Sequence, residues 1–125
     1  MNKTKLIDMI SRKNVLKYYE LYKTTQWFSK TEMEEFQLKK LQALINHCFV
    51  NVPYYTEIMK NNNIIPSDIK SIKDLEKFPI LTKEIIQENY EKFYPLNLEN
   101  IKGVKTSQTS GTTGNVLYKR NDANT

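Results

Sequence analysis

The residues best suited to chemistry lie near the carboxyl end, in the sequence KTSQTSGTTGNVLYKR from Lys105 to Arg120. Six of the nine residues from Thr106 to Gly114 are serine or threonine, and two of the three glycines in the chain lie among them. Glycine adopts positive φ without steric cost, so successive backbone amides can point into one concavity that binds an anion. Hydroxyl groups add donors for a phosphate, whose ionised oxygens only accept hydrogen bonds. The candidate phosphate-binding residues are Thr109, Ser110, Gly111, Thr112, Thr113 and Gly114.

Two better-known phosphate-binding motifs do not fit this segment. The Walker A spacing G-x-x-x-x-G-K-[ST] and the dinucleotide spacing G-x-G-x-x-G both fail at all three glycines. Three or four hydrogen bonds to a charged phosphate, each worth about 1.5 to 3 kcal/mol net, would account for micromolar nucleotide binding after the loop is ordered. The residues alone leave two interpretations open, because a run of serine, threonine and glycine is also typical of a flexible surface turn.

One histidine and one cysteine, His47 and Cys48, are adjacent in the chain. A single cysteine cannot form an intrachain disulfide, and these two residues alone cannot hold a structural zinc ion. Neighbouring residues on a helix point about 100° apart, so the pair would not face each other as a nucleophile and its base would. We therefore expect a buried thiol beside a half-exposed imidazole, and we assign no catalytic residue and no metal-binding residue.

Positive charge is concentrated at the amino terminus. The net charge is +5, and residues 1–24 carry six lysine or arginine residues against two acidic ones. Apolar and tyrosine side chains accompany these charges, so Met1–Tyr22 could form a non-catalytic interaction module that binds a protein partner or an anionic membrane surface. A solvated helix face is the structural alternative. Nucleic acid is not an expected partner, because no nucleic-acid-binding motif accompanies the charge.

Length and composition indicate a globular chain. With 125 residues, of which 39% are hydrophobic and 26% charged, it can bury the core of one domain. No segment reaches the roughly 18 consecutive apolar residues of a membrane span. The opening sequence MNKTKLIDMI lacks the apolar run of a signal peptide. We therefore expect a cytoplasmic protein.

The elements before residue 100 show helical spacing. The clearest helix is predicted from Thr31, which forms a capping box with Glu34. Pro53 lacks the amide hydrogen of a continuing helix, so this helix should end near Val50 and a new one should begin at Pro53. The buried stripe of the first helix is expected at Met33, Phe36, Leu41, Leu44, Ile45 and Cys48.

Shorter elements follow. The run of asparagines at 61–63 indicates a loop or a helix end, and two short helices are predicted with caps at Ser71, paired with Asp74, and at Thr82. A second apolar patch is expected in the core, although its tyrosines have the chemistry to line a ligand pocket. That patch consists of Tyr54, Tyr55, Ile58 and Met59.

The pattern changes after Ile101. The segments GVKTSQT and VLYKR, on either side of the glycine run, predict a strand, a loop and a strand. The predicted fold class is α/β, with a mainly helical region that leads into a strand-loop-strand phosphate-binding hairpin. Within a single partial domain over 1–125 we expect a basic helix over 1–30, a helical region over 31–100 and the hairpin over 101–125.

The segment TSGTTG, Thr109–Gly114, resembles the phosphate-binding signature of the adenylate-forming enzymes, the acyl- and aryl-CoA synthetase superfamily. Upstream residues extend the resemblance to the phenylacetate-CoA ligase branch, which includes proteins assigned to capsular polysaccharide biosynthesis. The similar stretch runs from about Thr31 to Tyr118. Its matching elements are His47 with Cys48, Val52–Tyr55, Pro66 with Asp68 and Ile69, Leu75–Pro79, and Leu81–Lys83.

The resemblance implies a two-step reaction. A carboxylate attacks the α-phosphate of Mg-ATP to give an acyl adenylate and pyrophosphate, and a thiol such as CoA then takes the acyl group. Residues Thr109–Gly114 would hold the β- and γ-phosphates and stabilise the departing pyrophosphate. ATP and magnesium are therefore the implied cofactors, with CoA as an acceptor in the full-length enzyme.

Two departures accompany the resemblance. The superfamily often continues this loop with proline and lysine, whereas Val116 and Leu117 stand here, and Lys119 or Arg120 would have to supply the positive charge. Family members run to several hundred residues, so the resemblance implies that the adenine, ribose and acyl sites lie outside this sequence. We therefore expect an N-terminal fragment of the large domain of such a ligase, inactive alone, with the remainder of the ligase as its partner.

Overall fold

The computed structural model describes residues 15–100, 104–108 and 118–121, and helices dominate these ranges. One compact unit of the chain comprises residues 1–29 and 99–125, and the other comprises residues 30–98. The α-helices are α1 (Val15–Thr25), α2 (Lys30–Asn51), α3 (Pro53–Asn61) and α4 (Lys83–Glu88); short 3₁₀ helices span Pro66–Asp68, Ile72–Lys77, Tyr90–Phe93 and Leu98–Asn100; and the strands are β1 (Lys105–Gln108) and β2 (Tyr118–Asn121).

The junction between α2 and α3 is built around Pro53. The last bonds of α2 include one from the Val52 amide to the Cys48 carbonyl at 3.0 Å. Pro53 has no amide hydrogen to donate to the carbonyl four residues earlier, that of Phe49. The Thr56 hydroxyl donates to the Phe49 carbonyl instead, at 2.7 Å. The predicted break is confirmed, and the chain turns without leaving that carbonyl unsatisfied.

The core of residues 30–98 lies where α2, α3 and the segment after α3 meet. Ile45, Met59, Ile64 and Ile69 are buried there. Leu44 was expected in the same stripe, but it is 56% exposed, so that prediction is wrong. The reason is angular, because Leu44 lies about 100° around the helix from Ile45, on which the core centres. Half-buried side chains of Leu38, Leu41, Phe49 and Phe78 complete the cluster.

Asn63 ends α3. It has a positive φ of 53°, and its amide donates to the Lys60 carbonyl at 3.2 Å while the Ile64 amide donates to the Met59 carbonyl at 2.8 Å. These two bonds form a Schellman motif with asparagine in the left-handed position. The motif also brings Ile64 against Met59 in the core. Of the two interpretations of residues 61–63, a loop or a helix end, the helix end is confirmed, and it directs the following chain back onto α2.

The helix caps are partly as predicted. The Ser71 amide and hydroxyl both donate to Asp74 Oδ2, at 2.8 and 3.0 Å, and Thr82 Oγ1 accepts from the Ile85 amide at 3.3 Å. The cap at Thr31 is wrong, because α2 already begins at Lys30. A residue inside the first turn has helical backbone angles and cannot serve as the N-cap.

The segment after α4 packs back on the α2–α3 junction. The Leu96 amide donates to the Asn51 carbonyl at 2.6 Å, and the Phe93 ring stacks on Tyr54 with centroids 4.2 Å apart. These contacts tie residues 90–96 to the end of α2 and to α3, so the last helical carbonyl of α2 has a partner.

Strands β1 and β2 form an antiparallel pair. Lys105 pairs with Asn121, and Gln108 pairs with Tyr118. The segment 109–117 connects the two strands and lies outside the described residues. The mainly helical character of the chain is confirmed, whereas the phosphate-binding conformation of the hairpin stays a prediction.

The Schellman motif gives a stability prediction. Replacing Asn63 with valine should lower the free energy of unfolding by about 1–2 kcal/mol, because a branched side chain is strained at positive φ. Replacing Asn63 with glycine should cause no loss. Urea unfolding followed by circular dichroism measures both changes. The matched control is Asn61→Val within α3, and equal losses at both positions would contradict the assignment.

Candidate functional site

The predicted phosphate-binding residues lie between β1 and β2. Thr109, Ser110, Gly111, Thr112, Thr113 and Gly114 are all outside the described residues, so their predicted role is neither confirmed nor contradicted. The strands that flank them are described. Because Gln108 and Tyr118 are opposite each other in the register, the connecting segment starts and ends about 5 Å apart. The strand pair therefore holds the two residues that flank this segment close together.

The two cations considered for this loop have defined register positions. Lys119 pairs with Ser107, and Arg120 pairs with Thr106. Both belong to β2, one and two positions after Tyr118, the first residue of that strand. Either position is near enough in sequence to serve a phosphate in the loop, so the register leaves both candidates open.

The tyrosines after Pro53 belong to an aromatic cluster. The Phe93 ring stacks on the Tyr54 ring with centroids 4.2 Å apart. The Tyr55 ring is nearly perpendicular to both, and its centroid lies 5.9 Å from that of Phe93 and 5.5 Å from that of Tyr54. Tyr54 is buried. Burial raises the pKa of the Tyr55 phenol, with smaller contributions from nearby Cys48 and Tyr54. The packing confirms the core interpretation of this patch, since protein rings occupy the faces that a ligand would need.

The His47 side chain is held by its own helix. Asn51 Nδ2 donates to the His47 carbonyl at 3.1 Å and lies 3.2 Å from His47 Nδ1. With the amide assigned this way, Nδ1 accepts and the proton of the neutral ring resides on Nε2. Cys48 is half-buried on the next helical position. Cys48 is therefore less buried than expected, and the absence of a catalytic role for the pair stays a prediction.

Burial raises the pKa of the Cys48 thiol above its usual value. A group with a raised pKa keeps its proton to higher pH, so alkylation of Cys48 by iodoacetamide should show a pH midpoint above about 8.5. Rates measured across pH 6 to 11 test this. Val50→Cys in a Cys48→Ser background, at a position that is 68% exposed, should alkylate with the ordinary midpoint. A Cys48 midpoint below the ordinary value would indicate an activated thiolate.

A groove of about 560 Å³ lies between the first half of α2 and the segment that leads into the 3₁₀ helix Ile72–Lys77. Acidic side chains come from α2 and basic ones from the facing segment. Its lining residues are Thr31, Glu34, Glu35, Gln37, Leu38, Lys70, Ser71, Ile72 and Lys73. Sequence spacing did not indicate this groove, because the spacing within the short helix predicted after Ser71 does not say which part of α2 that helix faces.

Asp74 fixes the wall of this groove. Lys77 Nζ lies 2.7 Å from Asp74 Oδ1, and the amides of Lys70 and Ser71 donate to Asp74 Oδ2 at 3.0 and 2.8 Å. Lys77 first, and then these donors, hold the pKa of the Asp74 carboxyl well below its usual range. The carboxylate therefore stays ionised and keeps residues 70 and 71 in place under mildly acidic conditions.

The lowered pKa gives a second pH prediction. A carboxyl whose pKa is lower in the folded protein stabilises the fold at pH values above its ordinary pKa. This stabilisation is lost only as the pH falls through the lower pKa of the folded protein. The amide chemical shifts of Lys70 and Ser71 should therefore stay constant down to about pH 4 and move only below it. Asp74→Asn should shift both amides at every pH. Asp68→Asn, which removes the negative charge from the acceptor of the Ile65 amide, should leave them unchanged.

The basic arm is only partly described. In α1, Lys17 and Lys23 are exposed, as are Tyr19 and Tyr22. Residues 1–14, which carry most of the positive charge, lie outside the described residues. The prediction that Met1–Tyr22 binds a protein or an anionic membrane therefore stays untested.

The described residues contain neither a cluster of metal-binding side chains nor a membrane-spanning helix. Across 15–100, 104–108 and 118–121, no three histidine, cysteine, aspartate or glutamate side chains group closely enough to hold a metal ion. Within the same ranges, no helix combines the length and the hydropathy required to cross a membrane.

Three known proteins match this chain at 32–34% identity, and all are named phenylacetate-coenzyme A ligase. The relative from Aromatoleum evansii is 34% identical over 86 residues, which cover 69% of this chain and 19% of the relative. The Escherichia coli relative is 32% identical over 98 residues, 75% of this chain and 22% of the relative. The Pseudomonas putida relative is 32% identical over 97 residues, which cover 74% of this chain and 22% of the relative. The chain is a homologue of the phenylacetate-CoA ligases.

The extent of the match bears on the site. The chain spans about a fifth of the length of these phenylacetate-CoA ligases. A match of 86 residues in a chain of 125 must include residues 40–86 wherever it begins. The second half of α2, Pro53 and α3 therefore lie within the stretch that aligns with the Aromatoleum evansii relative. No protein-family model matches the chain.

Proposed function

We propose that this chain forms the phosphate-holding part of an adenylate-forming ligase of the phenylacetate-CoA ligase kind. The observation that carries the proposal is the 32–34% identity to three such ligases over about 70% of the chain. The TSGTTG segment adds support, because the residues before and after it belong to two paired strands. As an N-terminal part of the large domain, the chain would work together with the rest of such a ligase.

The chemistry of the proposed reaction assigns the loop an electrostatic task. A carboxylate oxygen forms a bond to the α-phosphorus of ATP as the bond from that phosphorus to the bridging oxygen breaks, and pyrophosphate leaves with the bonding electrons. Negative charge grows on the pyrophosphate. Backbone amides of Gly111 and Gly114, with the hydroxyls of Thr109, Ser110, Thr112 and Thr113, would donate to its oxygens and lower the barrier.

The strand pair gives the loop its frame. Donors stabilise a developing charge best when they are fixed before the reaction begins. The register from Lys105–Asn121 to Gln108–Tyr118 holds the two loop ends together, and this limits the conformations that the loop must lose on binding. Lys119 or Arg120 would add the positive charge that other members of the superfamily place inside the loop.

The finer features of the reaction belong to this proposal as well. Magnesium would travel with the nucleotide, since the ion is usually bound by phosphates and few protein groups, and we route no step through it. CoA would accept the acyl group in the complete ligase. A place in capsular polysaccharide biosynthesis and a cytoplasmic location are expectations that come from the resemblance and the composition.

Titration with pyrophosphate and with ATP at millimolar concentration tests the proposal. In a chain labelled with ¹⁵N, the amide resonances of Gly111 and Gly114 should shift, because these amides would donate to the anion. Gly111→Val should abolish the shifts, since a branched side chain excludes positive φ. The same chain by itself is expected to show no ATP–pyrophosphate exchange, because the phosphate loop alone binds neither the carboxylate nor the adenine.

Two controls make the result specific. Gly103→Val changes the one glycine outside the TSGTTG segment and should preserve the shifts. Sodium chloride at matched ionic strength should not reproduce them. Unchanged resonances in the presence of both pyrophosphate and ATP would contradict a phosphate-binding role for the loop.

A further inference from the structure

The groove beside the first half of α2 has no role in the proposed reaction. It encloses about 560 Å³, which is within the range of about 300 to 1,000 Å³ that small-molecule sites occupy. The side-chain amide of Gln42 donates to the Ile69 carbonyl at 2.8 Å, so the segment that forms the facing wall starts from a fixed point on α2. All the lining residues belong to the compact unit of residues 30–98.

The two walls of the groove carry opposite charge. Glu34 and Glu35 line the wall that α2 forms, and Lys70 and Lys73 line the facing wall. None of the ion pairs in the described part of the chain joins these walls. Glu34 contacts Lys30 on its own helix at 3.9 Å, with both side chains mostly exposed, and such a pair contributes little. The groove therefore offers an acidic wall and a basic wall to one ligand.

Apolar side chains accompany the charges on both walls. Leu38 is half-buried and lines the groove one turn after the two glutamates. Positions 34, 35 and 38 fall within about 100° of arc, so they share one side of α2. On the facing wall, Ile72 stands between the two lysines in sequence and is 40% exposed. We name Leu38 and Ile72 the apolar pair, and a ligand that covers it removes apolar surface from water, which favours binding.

Hydrogen bonds fix the backbone of the basic wall. Asp74 Oδ2 accepts from the Lys70 amide at 3.0 Å and from the Ser71 amide at 2.8 Å. Lys77 Nζ lies 2.7 Å from Asp74 Oδ1, so the carboxylate that holds these amides is itself held. A wall that is ordered beforehand loses less conformational entropy on binding than one that the ligand must order.

We propose that this groove binds a zwitterionic ligand in which a short alkyl chain separates an ammonium group from a carboxylate. Free ω-amino acids have this chemistry, and so does a lysine at the carboxyl terminus of a polypeptide. The ammonium lies against Glu34 and Glu35. The carboxylate accepts hydrogen bonds from Lys70 and Lys73, and the chain covers the apolar pair. A ligand of one sign is attracted by one wall and repelled by the other, so the groove selects for both charges.

Titration of the ¹⁵N-labelled chain with ε-aminocaproate at millimolar concentration and constant ionic strength tests the proposal. The amide resonances of Leu38, Ile72 and Lys73 should shift and saturate, because these residues line the groove. Caproate lacks the ammonium and hexylamine lacks the carboxylate, so each should bind about fivefold more weakly, since each loses the ion pairs at one wall.

A second ligand distinguishes the two sources of this chemistry. Nα-acetyl-lysine has the ε-ammonium and the free carboxylate of a lysine at the end of a polypeptide. Tighter binding of Nα-acetyl-lysine than of ε-aminocaproate would assign the ligand to a polypeptide terminus, and the reverse order would assign it to a free ω-amino acid.

Matched variants locate the binding. Glu35→Gln/Lys70→Gln removes one charge from each wall and should weaken binding of ε-aminocaproate about fivefold. Glu88→Gln/Lys60→Gln makes the same change at two exposed positions that do not line the groove, and it should bind like the wild type. All four side chains are exposed, so the urea midpoints of both variants should equal that of the wild type, which rules out misfolding.

Three results would overturn the proposal: no shifts in the wild type, equal binding of ε-aminocaproate and the two ligands of single charge, or unchanged binding by the groove variant. The proposal does not depend on the phosphate loop. Gly111→Val should therefore leave ε-aminocaproate binding intact, and the groove variant should keep its amide shifts with pyrophosphate.

Discussion

The fold of residues 30–98 depends on the hydrogen bond from the Thr56 hydroxyl to the Phe49 carbonyl, because this bond satisfies the carbonyl that Pro53 leaves without an amide partner. Pro53 must break the helix, and a break in a partly buried place leaves a carbonyl that costs free energy unless it is paired. With that carbonyl satisfied at 2.7 Å, α3 can lie against α2. Met59 then reaches Ile45 in the core, and the Schellman motif at Asn63 returns the chain to the same core.

Local rules predict the parts of this fold in which one residue decides the geometry. Pro53 has no amide hydrogen, and Thr82 carries an oxygen three residues before the Ile85 amide, so the helix break and the helix cap are both predictable from the sequence. The exposure of Leu44 is not predictable in this way, because an apolar residue beside the core stripe faces inward or outward according to what packs on the helix. Asp74 was predicted as the partner of the Ser71 cap, but the bond that it accepts from the Lys70 amide depends on the fold of the preceding segment.

The candidate site divides in the same way. Glycine and hydroxyl density points to an anion, and the two flanking strands have the predicted order and an antiparallel register. The direction of each donor in Thr109–Gly114 depends on backbone angles that composition does not fix, since glycine allows many. The resemblance to phenylacetate-CoA ligases therefore carries more weight for the loop than its residue types do.

The strand pair sets how much of the phosphate loop is fixed before binding. A two-stranded sheet is marginal in water, and a loop that must be ordered on binding loses affinity. The register from Lys105–Asn121 to Gln108–Tyr118 offsets part of that cost, because it holds the two ends of the loop together. The rest of the cost falls on Thr109–Gly114, so the affinity for phosphate should depend on how strongly the two strands pair.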